Sequence, residues 1–105
     1  MAKVELRYLP IFRSDLIEAV NYIRYTLQNP KAANDLIDDV ESAILKRSEN
    51  PEAFEKYHSL KERKYPYYSI YVKNYVVYYV VIDGDIKIME IRRFLYNKRN
   101  RATII

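Results

Sequence analysis

A chain of 105 residues with a net charge of +4 and 50% hydrophobic residues has room for one domain around a single core. It contains no cysteine, which excludes a disulfide framework and a thiolate zinc site and suits a reducing cytoplasm, the expected location. No apolar run approaches the ~18 residues of a membrane span, and the opening MAKVELRYLP lacks the apolar stretch of a secretion signal, so no membrane partner is expected.

Residues 3–9 (KVELRYL) set Val4, Leu6 and Tyr8 against Lys3, Glu5 and Arg7, the alternation of a short strand with one wet face, and Pro10 stops it. From Ser14, a good N-cap, the period becomes helical. Leu16, Val20, Ile23 and Leu27 recur at spacings of three and four, with Asp15 and Glu18 in the first turn, where the helix dipole favours anions. Asn29-Pro30 ends this helix and starts a second, since proline suits the first helical position. The second helix carries Ala33, Leu36, Ile37, Val40 and Ile44 on one face and runs to about Glu49. So short a connection predicts an antiparallel hairpin whose apolar stripes cover one face of a sheet. Asn50-Pro51 breaks the helix, and residues 52–64 read as a loop pinned by Phe54 and Leu60.

Residues 65–100 hold most of the β-branched and aromatic side chains. The unbroken apolar run YVVYYVVI (75–82) predicts a central strand covered on both faces. Before it, Tyr68, Ile70 and Val72 fall on one face, and Tyr67, Ser69 and Tyr71 on a wetter one. Lys73-Asn74 predicts a tight turn between these strands, with Asn supplying the positive φ. Asp83-Gly84-Asp85, holding the chain's one glycine, predicts a second turn into Ile86, Ile88 and Ile91. The fold expected is α+β: an N-terminal strand and an antiparallel helix hairpin packed on an antiparallel β-meander. Leu16, Val20, Ile23, Leu36, Ile37, Val40, Ile44, Val77 and Ile88 are expected in the core between them. After Phe94 the chain turns polar and basic, and a strand extension, a helical turn or a loose tail all fit.

Charge is unevenly spread. Residues 14–55 carry four Lys/Arg against nine Asp/Glu, and residues 56–105 carry eleven against four. The basic half, with Lys61, Arg63, Lys64, Arg92, Arg93, Lys98, Arg99 and Arg101, has the composition that polyphosphate binding requires, while an ordinary solvated face is the plainer alternative. No metal or other cofactor is expected. With no cysteine and one histidine only carboxylates remain, and Asp35, Asp38 and Asp39 read as an exposed helix face. His58 reads as an ordinary loop histidine. Tyr75, Tyr78 and Tyr79 read as core, whereas Tyr65, Tyr67 and Tyr71 are candidates for a partner surface.

The run DLIEAVNYIRYTLQNPKAANDLIDDVESAI, the break at Asn50-Pro51, Ser59-Leu60 before the sheet, and VKNYVVYYVVIDGDIKIMEIRRFLYNKRN occur in an order that resembles the RelE/ParE superfamily of toxins from type II toxin-antitoxin systems, across nearly the whole chain. The resemblance implies a plasmid-stabilization type of module with a cognate antitoxin as partner. Its target is then either messenger RNA at or near the ribosome, cut by a metal-independent endoribonuclease, or DNA gyrase, poisoned by protein binding.

Under the nuclease reading, which is the first expectation, the resemblance puts Tyr96 where such toxins keep a His or Tyr beside the scissile phosphate. Arg93 is the preceding strand arginine, and Lys98, Arg99 and Asn100 match a basic pair and terminal acid, with Asn for Asp. Lys61, Arg63 and Lys64 match basic residues ahead of the meander, and Glu55 is the candidate general base. Arg93, Lys61 and Arg99 would clamp phosphate and stabilise phosphorane charge, while Tyr96 would donate a proton or stack on a base. A phenol with a pKa near ~10 is protonated at neutral pH and so is no ready base. The departure is Val76, which stands where many members carry an arginine, and it favours the ParE-like alternative or a degenerate nuclease. An inactive antitoxin-binding remnant is the third reading.

Overall fold

The computed structural model describes residues 4–54, 56 and 64–98. Four strands, β1 (Glu5–Tyr8), β2 (Tyr68–Val72), β3 (Tyr75–Ile82) and β4 (Ile88–Tyr96), form one sheet in the order β1-β4-β3-β2. The helices α1 (Pro10–Asn21), continued by a π-helical segment (Tyr22–Thr26), and α2 (Pro30–Arg47) lie between β1 and β2 in the chain. The α+β reading and the central, doubly covered strand at Tyr75–Ile82 are as expected. β2 and β3 pair antiparallel, as do β3 and β4, while β1 joins β4 in parallel, with Glu5 opposite Ile88. The helix hairpin supplies the crossover that a parallel partner requires.

One face of the sheet meets the helices. Val77, Tyr79, Val81, Met89, Ile91 and Phe94 pack there on Phe12, Val20, Ala33, Leu36, Val40 and Ile44, and Leu16, Ile23 and Ile37 are partly buried at the margin. The other face carries a second apolar layer of Tyr67, Val76, Tyr78, Val80 and Leu95. Alternate residues of β3 therefore enter two different cores, which explains its unbroken apolar run. Between Tyr78 and Tyr79 the β3–β4 register shifts, so Arg92 is the extra residue of a bulge.

Local departures from expectation have identifiable causes. The first helix starts at Pro10, with Leu9 as an extended N-cap residue, so the proline opens the helix as well as ending the strand. Ser14 then lies inside the helix, and Phe12, missed by a start at Ser14, is buried with its ring 5.8 Å from that of Tyr8 and 6.1 Å from that of Phe94. The π-helical segment, with Leu27 N–H donating to the Tyr22 carbonyl at 3.0 Å, widens the last turn and throws off the helical phase. Leu27, the last residue of the expected apolar stripe of the first helix, is consequently 55% exposed. Asn29 caps α2 by accepting from the Ala32 N–H at 3.1 Å.

In the β2–β3 turn Lys73, and not Asn74, holds the positive φ, at 55°. Gly84 has no positive φ, and with Ile82 opposite Ile88 the second connection is a five-residue loop spanning 83–87 that leaves Ile86 exposed. Tyr67, expected on a wetter face, is buried in the second layer. Of the residues expected to pin the loop after α2, Phe54 is half exposed beneath the Arg47 guanidinium at 3.6 Å, and Leu60 lies outside the described residues. Arg47 also donates to the Tyr79 hydroxyl at 2.9 Å, and that hydroxyl donates to the Pro51 carbonyl at 2.6 Å. These bonds anchor the chain where it leaves α2.

Candidate functional site

An open groove of about 800 Å³ lies where the helix hairpin overhangs the end of the sheet. Its apolar floor comes from Ile23, Leu36 and Phe94, and its rim from Tyr22, Leu27, Tyr75 and Tyr96. The π-helical winding brings Leu27 to that rim, because a regular α-helix would have turned it inward. Tyr75 stacks on Phe94 with ring centroids 4.8 Å apart and meets Tyr96 edge-on at 5.6 Å. Burial, followed by the neighbouring Tyr96 and Tyr22 phenols, raises the pKa of Tyr75 above its ordinary value. The rim phenol therefore stays neutral at physiological pH.

The ionisable lining is mainly acidic, with Asp15, Glu18 and Asp35 facing one cation, Lys73. Asp15 is already engaged. It accepts from Arg93 Nε at 2.8 Å and Nη2 at 3.1 Å, and from the Phe94 backbone N–H at 3.0 Å. The pair is largely enclosed, with side-chain exposures of 19% for Arg93 and 11% for Asp15. Asp35 meets Lys31 at 2.9 Å one helical turn away, and Lys73 reaches Asp39 at 3.3 Å. Glu18 is exposed and makes no ion pair among the described residues.

The residues expected from the sequence divide accordingly. Arg93 and Tyr96 both come to the groove end of β4, but Arg93 spends its guanidinium on Asp15, and Tyr96, 43% exposed, faces an acidic groove. Lys64 is exposed beside the Tyr65 ring at 5.5 Å, and Lys98 is exposed just beyond β4. Glu55, Lys61, Arg63 and Arg99, like His58, lie outside the described residues. Val76 is fully buried, 0% exposed, in the second apolar layer.

Elsewhere in the basic half, Arg92 pairs with the buried Glu90 at 2.8 Å, and Lys87 pairs with Glu52. The acidic first half of the chain and the basic second half thus neutralise one another across Asp15–Arg93, Asp39–Lys73 and Glu52–Lys87. Sequence reasoning took Asp15 for a helix-dipole residue and did not find the groove. The available signal was the pair of opposite charge blocks within one small domain.

No curated protein matches the chain significantly. The family model described as "ParE toxin of type II toxin-antitoxin system, parDE" matches residues 6–101, nearly the full length, and such a toxin has a cognate antitoxin as its partner. The chain belongs to the ParE toxin family, within the RelE/ParE superfamily of type II toxin-antitoxin toxins.

Proposed function

We propose that this toxin arrests growth by binding a protein target, as a gyrase poison, and not by cutting messenger RNA. The observation that carries the reading is the Asp15 carboxylate on Arg93. It takes the two guanidinium bonds that a scissile phosphate would need, and it brings negative charge to the place where phosphorane charge would develop. Val76 supports the same reading, because a fully buried valine cannot contribute to a phosphate clamp and its layer has no room for a cation without disruption.

The test is induced expression of the chain in bacteria, followed on the same cultures by RNA-integrity measurement and by assay of gyrase supercoiling and trapped cleavage complexes. Inhibited gyrase with intact RNA is the expected result. Cleaved messenger RNA with normal supercoiling, abolished by Tyr96→Ala, would overturn it in favour of an endoribonuclease using Tyr96, Lys98 and the basic residues beyond β4.

A further inference from the structure

The groove at the end of the sheet has the wrong charge for nucleic acid and the wrong surface for bulk water. Three carboxylates line it against one lysine, and tyrosine and leucine side chains stand exposed around its rim. A π-helical winding is a poor alternative to an α-helical turn, and here it carries an apolar side chain, Leu27, out of the core into a concave surface. A volume of about 800 Å³ accommodates several side chains of an inserted segment. The charge at the rim is not symmetrical. Asp15 is saturated by Arg93, whereas Glu18 on α1 has no ion-pair partner among the described residues, and Asp35, across the groove on α2, holds there only a solvent-exposed lysine that can swing away.

We propose that Glu18 and Asp35 are the specificity-determining residues of this groove, selecting in the cognate antitoxin a segment whose apolar side chains fill the Tyr22–Leu27–Tyr96 rim and which carries a lysine or arginine set between the two carboxylates. The inference rests on the antitoxin partner that family membership implies, and is independent of whether the toxin's target is gyrase or RNA. It also reverses what net charge suggests. A chain of net charge +4 would be expected to recognise its partner through acidic residues, but in the described residues most of the basic half is internally paired, and the open concave surface is the acidic one. A cation held between two carboxylates beside tyrosine rings gains from both ion pairing and the aromatic faces.

The probes are overlapping synthetic peptides spanning the protein encoded next to the toxin gene, titrated into isotope-labelled toxin with binding read from backbone amide shifts. The tightest peptide is expected to carry a Lys or Arg among apolar residues and to shift the amides of Glu18, Tyr22, Leu27, Asp35 and Tyr96. Glu18→Lys with Asp35→Lys, both at exposed or half-exposed positions, should weaken it about tenfold or more at low salt while leaving the thermal midpoint near the parent value. Replacing the peptide's cation by Glu should restore affinity to the double variant and lower it for the parent. Shifts confined to the second sheet face or to the β2 edge, or affinity unchanged by both charge reversals, would overturn the proposal. Neither outcome depends on a gyrase or RNA assay.

Discussion

Arg93 and Asp15, 78 positions apart in the chain, are joined by two hydrogen bonds of 2.8 and 3.1 Å, and the same carboxylate accepts the Phe94 N–H. β1 ends at Tyr8, opposite Ile91, so among the described residues the rest of β4 has no neighbouring strand on that side. Asp15 satisfies the first backbone donor that this leaves open, and does so from the adjoining helix. Removing it strands a partly buried guanidinium and an amide together. Asp15→Ala should cost about 2–4 kcal/mol, and Arg93→Ala a comparable or smaller amount, read as shifts of the urea midpoint at constant slope. A loss below about 0.5 kcal/mol for both would show the pair to be no more than a surface ion pair.

Val76→Arg introduces the arginine that the resemblance to the RelE/ParE toxins leads one to expect at that position. Because Val76 is fully buried in the layer that also holds Tyr67, Tyr78, Val80 and Leu95, the substitution should destabilise by several kcal/mol and confer no ribonuclease activity. A folded, RNA-cleaving variant would show that the second layer opens readily, contrary to its packing.

Val77 and Ile37 both belong to the core between helices and sheet, but unequally. Val77 is fully buried and Ile37 sits at the margin, so Val77→Ala should cost about 2–3 kcal/mol and Ile37→Ala distinctly less for its size, by denaturant titration.

Lys73 holds a φ of 55°, a conformation that a residue with a long side chain adopts at a cost. Lys73→Gly should raise stability by about 0.5–1 kcal/mol despite loss of the exposed ion pair to Asp39, because such pairs contribute little. A lower thermal midpoint in this variant would mean that the ion pair outweighs the backbone strain.

Burial is the main cause that raises the phenols of Tyr8, Tyr68, Tyr75 and Tyr79 above their ordinary value; at Tyr79 the Arg47 guanidinium opposes it. As pH climbs through ~10, the unfolded chain releases these protons before the folded one does. Stability attributable to them is therefore constant below that value and declines above it. Tyr79→Phe should lower stability at neutral pH by about 1–3 kcal/mol, through loss of the bonds to Pro51 and Arg47, and should also make the alkaline decline shallower. Denaturant titrations from pH 7 to 11 measure both.

Much of the fold was legible in local pattern. β3 was found at its full length because two cores dictate an uninterrupted apolar run, and Asn29-Pro30 marked the helix junction because capping and proline geometry act within a few residues. The parallel β1–β4 pairing was not legible, since nothing local to Glu5–Tyr8 encodes its partner. Nor was the groove, because it depends on a π-helical phase change that apolar spacing conceals: Leu16, Val20, Ile23 and Leu27 fit an ideal helix that the chain does not complete. Arg93 was rightly placed at the end of β4, but its partner Asp15 lies on another element, and side-chain pairing across elements is invisible to periodicity.

The parallel docking of β1 beside β4 has a consequence for the order of folding. β1, at one edge of the sheet, is separated in the chain from its partner, Ile88 to Ile91, by both helices and by β2 and β3. Contacts spanning 83 residues close slowly, since the entropy of so long a loop is lost before they form. β2, β3 and β4, joined by short connections, therefore assemble first, and β1 docks on them last. The edge strand secured last is also the first that local opening releases, so the backbone amides of Glu5–Tyr8 should exchange with solvent ahead of those of β3.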